Sequence, residues 1–205
     1  MTTKVVADEV LGRLARKHHD LFRRVREGTL NATRVLNALQ DIIEGRFGTV
    51  ISIDRSKPFS PAEFIGEGWS IWKGPADGDG LTGVENQDAR SLILTEVDTS
   101  AIRLETRLRD GETRITGEEK LRRLKATKHI RLDAKVFQTF WENKHFIPES
   151  WKSGSLFIYF DGTPLRDPNG KRCVLCLHWL HNRWFRGHLL DVSWLTNSLS
   201  AVLAK

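Results

Sequence analysis

No run of apolar residues in this 205-residue chain reaches the roughly 18 that a membrane-crossing helix needs. The opening stretch, MTTKVVADEV, carries acids early and has no apolar core, so it does not read as a secretory leader. Cysteine is scarce. The two present, Cys173 and Cys176, lie three apart on an expected strand and point to opposite faces, which disfavours a disulfide between them. A reducing cytoplasm is the compartment these features favour. The sequence holds no GxSxG, P-loop, GxGxxG or HExxH, so it announces no nucleophile elbow, nucleotide cradle or zinc protease, and no cofactor is expected. It also lacks internal repeats and low-complexity tracts.

What remains is an ordinary globular composition, 40% hydrophobic and 28% charged. At this length about 70% of the unfolded chain's surface can be buried without disulfides. The net charge of +6 is unevenly spread. Residues 1–60 hold 11 basic against 7 acidic side chains, residues 61–100 hold 2 against 8, and residues 101–205 hold 19 against 11. An acidic middle is therefore flanked by basic segments. These are either faces that complement one another within the fold or a basic surface for an acidic partner, nucleic acid or protein.

The fold class expected is α+β, in three parts: a helical hairpin over 1–46, an acidic, loop-rich segment with short strands over 47–100, and a sheet packed with helices over 101–205. Val5 to Glu27 carries apolar residues at helical spacing and stops at Gly28; Asn31 is an N-cap for a second helix to Glu44, ended by Gly45. Gly48 to Asp54 reads as a strand. Ser60-Pro61 starts a short helix, Thr116 with Glu119 forms a capping box for a basic helix over Glu118 to Ala126, and Asp133 caps a helix over Ala134 to Asn143. Ile102 to Leu108 alternates strictly and reads as a strand with one wet face.

The organising stretch is Ser155 to Leu195, which reads as a three-stranded antiparallel meander. Leu156 to Phe160 is apolar on both faces, so it belongs in the middle of a sheet. Asp161-Gly162 and Pro164 mark a bulge, and Asp167-Pro168-Asn169-Gly170 is a turn. On Arg172 to Trp179, the face of Cys173, Leu175, Leu177 and Trp179 points to the core. On Arg183 to Leu195, one face carries Trp184, Arg186, His188 and Trp194.

Short motifs in this part of the chain carry a resemblance. Thr116–Leu124 (TGEEKLRRL), Ile147–Lys152 (IPESWK), Tyr159–Thr163 (YFDGT), Arg172–Leu177 (RCVLCL) and Ser200–Ala204 (SAVLA) resemble an uncharacterised family of hypothetical proteins from metagenome-derived bacterial genomes. The resemblance implies an intracellular bacterial protein. It assigns neither an activity nor site residues.

Four constellations could carry chemistry. The mixed aromatic and basic face of Trp184, Arg186, His188 and Trp194, rimmed by Lys120, Arg122 and Arg123, suits weak single-stranded nucleic-acid binding, with bases stacked on indoles and phosphates on cations. The same tryptophans could instead anchor a protein partner or a second copy. Cys173, Cys176, His178 and His181 are zinc-type residues, but a strand spreads the two sulfurs that a zinc knuckle would converge. Asp161, Asp167, Lys171, His178, His181 and His188 would serve a metal-dependent hydrolase or nuclease, although both aspartates already have turn or bulge duties. In the loop over 73–88, Asp77, Asp79, Glu85 and Asp88 invite a calcium reading, yet the spacing fails the EF-hand pattern, leaving a mobile acidic loop as the default. A non-enzymatic binding or regulatory protein is the expectation that needs the fewest coincidences.

Overall fold

A computed structural model describes residues 8–43 and 49–204. The expected first helical turn over 5–7, the helix end at 44–45 and the strand start at 48 lie outside the described residues. The chain divides into two compact units, Met1–Phe47 and Gly48–Lys205.

In the first unit, helix α1 spans Asp8–Arg26 and α2 spans Ala32–Ile43. Acids in the first turn of α1 and Arg23, Arg24 and Arg26 in its last complement the helix dipole. Arg23 reaches Asp20 at 2.7 Å and Glu27 at 2.9 Å on the exposed side. Gly28, at φ 72°, ends α1 in a Schellman arrangement, with Thr29 N bonding Arg24 O and Gly28 N bonding Val25 O. Asn31 then caps α2 by accepting from Arg34 N at 3.0 Å.

The second unit mixes helices with antiparallel and mixed sheets. Its strands are β1 (Val50–Ser52), β2 (Ser70–Ile71), β3 (Glu96–Asp98), β4 (Ile102–Glu105), β5 (Arg114–Thr116), β6 (Ile130–Arg131), β7 (Phe157–Arg166), β8 (Arg172–Leu180), β9 (Arg183–His188), β10 (Ser193–Leu195) and β11 (Ser198–Leu203). Its helices are α3 (Pro61–Phe64), α4 (Ala89–Leu92), α5 (Gly117–Lys125) and α6 (Ala134–Glu142). The main sheet runs β4-β11-β7-β8-β9. In it, β11 lies parallel to β7, while β7–β8 and β8–β9 are antiparallel. His181 and Asn182, both at positive φ, make the two-residue turn between β8 and β9.

Both faces of the central strands are covered. On one, α6 packs Phe137 and Phe140 against Ile158, Phe160, Leu175 and Leu177. On the other lie Tyr159, Val174 and Cys176, under Leu121 of α5 and Trp194 of β10. Alternation along β7 and β8 sorts these residues to their faces. The β7–β8 register shifts between Phe160 and Leu165. Gly162 sits in that bulge, where a Cβ would collide with the backbone of Arg131 and Leu132, so only glycine allows the approach.

Three expectations are corrected here. The third arm of the meander ends at His188; Ser193–Leu195 leaves the main sheet and pairs with β5, Trp194 opposite Ile115. The strand begun at Ile102 stops at Glu105, ahead of Arg107 at φ 58°. The acidic loop over 73–88 is organised: Lys73 bridges to Gly80 and Glu85, Trp72 Nε1 bonds Pro75 O, and Arg166 Nε bonds Asp79 O.

Trp179 is also displaced from its expected place. It shares a face with Leu177 and meets Trp184 edge-on at 5.2 Å, but the end of β8 leaves it only half-buried, with Lys152 Nζ 5.1 Å from its ring. Trp179→Ala is therefore expected to cost about 1–2 kcal/mol, less than the 3–5 kcal/mol of a buried tryptophan. A denaturant melt reads this directly, and a loss near 4 kcal/mol would show a fully enclosed ring.

Candidate ligand site beneath helix α5

Thr116 starts α5, its Oγ1 accepting from Glu119 N at 3.2 Å. Gly117 follows at a point where a Cβ would strike Leu190 O, which brings the helix down onto the sheet. Helical spacing then turns Lys120, Leu121 and Leu124 inward. Two of these are ordinary core residues. Lys120 is a cation with no exposed surface.

The Lys120 ammonium donates to Ser198 O and lies 4.6 Å from the Trp194 ring centroid and 5.8 Å from that of Tyr159. The indole and phenol, stacked at 3.8 Å, give it two aromatic faces. Burial pushes its pKa down to about 8, against the opposing pull of Asp161 and Glu105. Asp161, on the same face of β7 as Tyr159, is also buried, and burial raises its pKa despite the nearby Lys120. Ser200 lies close enough to favour the ionised form, yet among the described residues neither its hydroxyl nor either carboxylate oxygen has a hydrogen bond of adequate geometry.

Two guanidinium groups extend this layer. Arg131 of β6 donates from Nη1 to Asp161 O at 2.7 Å, and its Nε lies 3.5 Å from Asp88 Oδ2. Asp88 is held in turn by Arg90 at 2.7 Å. Arg172, at the start of β8, is 7% exposed. Its Nη1 reaches Glu118 Oε2 at 3.1 Å, and its Cζ lies 5.4 Å from the Trp72 ring centroid. Its Nε and Nη2 are buried with no hydrogen-bond partner among the described residues. Burial lowers the pKa of both arginines. Lys125 lies at the exposed rim of this layer, donating to Asn86 Oδ1 at 2.8 Å, and partial desolvation and then the charges of Arg131 and Arg172 push its pKa down to about 8. Beside these groups a cleft of about 440 Å³ opens between α5 and the 73–88 loop, lined by Ala76, Thr116, Glu118, Leu121, Lys125 and Arg172 among others.

Burying Lys120, Arg131 and Arg172 in one part of the fold is costly, and proteins concentrate such costs where they bind or react. The chemistry on offer is recognition of negative charge. It does not resemble nucleophilic catalysis: the Cys173 and Cys176 thiols are pushed by burial to about 11 and about 12, so both are protonated at neutral pH.

Of the residues singled out from sequence, Lys120, Trp194 and Asp161 meet in this layer in roles other than those expected, and the rest fall elsewhere. Trp194 is 1% exposed and Trp184 7%, so neither offers a face to an unpaired base. Trp194 and Trp184 do not share a strand, because the chain leaves the main sheet after His188. Arg186 lies 4.7 Å from the Phe64 ring centroid and donates to Phe64 O, while His188 meets Trp69 edge-on at 4.3 Å. Of the expected basic rim, Lys120 is interior, Arg122 pairs with Glu119, and Arg123 is clamped by Glu112 and Glu119. Cys173 faces the α6 core and Cys176 the α5 core, so the strand face opposite Cys173 is buried as well. His178 lies between Phe157 and Phe185, and His181 is in the turn. Among the described residues no three His, Cys, Asp or Glu side chains are grouped to hold a metal.

The hydrolase set is likewise dispersed. Asp161 is interior, whereas Asp167 accepts from Asn169 N and Lys171 N in its turn. In the acidic loop, Asp79 accepts from Leu81 N and Thr82 N, Asp88 caps α4, and Glu85 meets Gln87. Arg131 and Arg172 were not singled out from sequence. The available signal was Arg172 sharing a strand face with Val174 and Cys176, a cation placed on an apolar face. Comparison of the chain with protein-family models, curated proteins and solved structures finds no match. Its class is therefore that of its described fold: mixed helix and sheet, with antiparallel and mixed strand pairing. No described helix is long and apolar enough to cross a membrane.

Proposed function

We propose that this chain is a non-enzymatic binding protein that assembles with a second copy of itself through its two N-terminal helices, acting as a hairpin. The observation that carries this is α1, a 19-residue amphipathic helix with no buried residue. Val10, Leu11, Leu14 and Phe22 stand exposed on it, as do Leu36, Ile42 and Ile43 on α2. Two helices alone cannot enclose a core, so such a stripe is made to be covered. Two hairpins meeting stripe to stripe form a four-helix bundle, the smallest arrangement that closes the layer symmetrically. Ion pairs of Glu9 with Arg13 and of Asp20 and Glu27 with Arg23 neutralise part of the charge on α1 and at its C-terminal end, leaving residues 8–43 with seven basic against five acidic side chains, a net excess of only +2 for two copies to bring together. The basic excess leaves general affinity for acidic partners, nucleic acid included, but a stacking platform of Trp184 and Trp194 no longer supports preference for single strands.

Sedimentation equilibrium of the full chain at micromolar concentration tests the assembly. The expected mass is that of a dimer, falling to a monomer in Leu14→Glu/Leu36→Glu with the thermal transition of the sheet unit retained. A wild-type monomer, or a dimer that the double variant leaves intact, contradicts the reading.

A further inference from the structure

Arg172 has an arrangement that its structural duties do not use up. Its guanidinium donates from Nη1 to Glu118 and lies against Trp72, while Nε and Nη2 both lack an acceptor among the described residues. Those two N–H groups form one edge of the planar fork, the edge whose parallel donors match the two oxygens of a carboxylate or phosphate. A buried donor left unsatisfied is costly, and here two occur on one charged group. The neighbours add to the deficit of negative charge. Arg131 and Arg172 are near enough to Lys125 to disfavour its charge, and Arg172 and Lys125 line the same cleft. Glu118 is half-exposed and occupies only one corner of the Arg172 fork.

We propose that the cleft between α5 and the 73–88 loop is a receptor for a small oxyanion ligand, whose carboxylate or phosphate group is held by the Nε–Nη2 edge of Arg172 with Lys125 as the second cation. Bulk water does not reach this edge, so an anion there would interact in a low-dielectric setting, where a charge-assisted pair is strong. Lysine could not replace Arg172, because a single ammonium lacks the two parallel donors. Glu118 acts as a competitor for the fork, and its removal strengthens binding. The site rests on the sheet unit alone and is independent of the association of the helices.

The test is thermal melting and calorimetric titration of the full chain with inorganic phosphate and, separately, with formate, each against sodium chloride at matched ionic strength. The expected result is a saturable rise in melting temperature over the chloride control. Response to phosphate alone assigns a phosphate ligand, and response to formate alone a carboxylate. Arg172→Lys should weaken binding on the order of tenfold or more, the loss of a bidentate contact. Glu118→Gln, which leaves the fork in place, should tighten it severalfold. No response beyond chloride in the wild type overturns the proposal. A response that survives Arg172→Lys places the anion elsewhere and overturns it as well. Should Arg172→Lys fail to fold, Glu118→Gln decides: unchanged or weakened affinity refutes the site.

Discussion

Trp194→Ala is expected to lower the stability of the sheet unit by about 3–5 kcal/mol, the cost of deleting a large buried side chain and leaving its space unfilled. Trp194 is among the largest fully buried side chains of the protein. It stacks on Tyr159 at 3.8 Å, packs with Ile115, Leu121, Val174 and Leu190, and supplies the aromatic face over which Lys120 lies. Its removal therefore strips the roof of the second core and a cation–π partner together. The ring cannot be replaced by relaxation of a loop, because β10 is tied to β5 on both sides of it. Urea denaturation followed by far-UV circular dichroism measures the effect. An exposed stacking residue would change stability by less than about 0.5 kcal/mol, so the experiment separates an interior Trp194 from a nucleic-acid platform.

How far the sequence could be read depended on the range of the signal. Local chemistry was legible. Ser60, Thr116 and Asp133 each cap a helix, accepting from Glu63 N, Glu119 N and from Lys135 N and Val136 N. The capping box is only half formed, since the Glu119 carboxylate turns to Arg122 and Arg123 instead of reaching back. Strand pairing between distant segments was not legible. Nothing local places β11 between β4 and β7, parallel to one and antiparallel to the other. Alternation was carried past its end at His188, and counting by twos through Leu189–Val192 put Trp194 on a face to which it does not belong. The candidate site was missed for the same reason. Lys120 looked like one more charge on a basic helix, and only the sheet brought beneath it by β7, β8 and β11 shows that its position faces inward. Arg131 and Arg172 come from segments that sequence distance does not connect.

The second large effect concerns Lys120→Met, which keeps the volume and removes the charge. The wild-type lysine titrates near 8 when folded and near its ordinary 10.5 when unfolded. Its depressed value means that the folded state disfavours the charged form, a cost fully present below pH 8 and relieved as pH rises from 8 to 10.5, where the unfolded chain holds more protons. For a shift of this size the cost is about 3 kcal/mol. Other groups act in the same range. The raised thiols of Cys173 and Cys176, with Tyr159 above them, make stability fall with rising pH, and Lys125 acts in the same sense as Lys120. These are common to both proteins, so the difference between them isolates Lys120. That difference should move by about 3 kcal/mol in favour of the wild type between pH 8 and 10.5. At lower pH, Asp161 loses its nearest cation in the variant, and its already raised carboxyl is held protonated over a wider range.

The buried cationic layer under α5 is tested most directly by nuclear magnetic resonance titration of the lysine side chains, following 13Cε shifts from pH 6 to 12. One lysine signal should titrate near 8 and be absent from Lys120→Met. A spectrum in which the signal lost from Lys120→Met titrates near the ordinary lysine value of 10.5 would place its ammonium in water and contradict the buried layer.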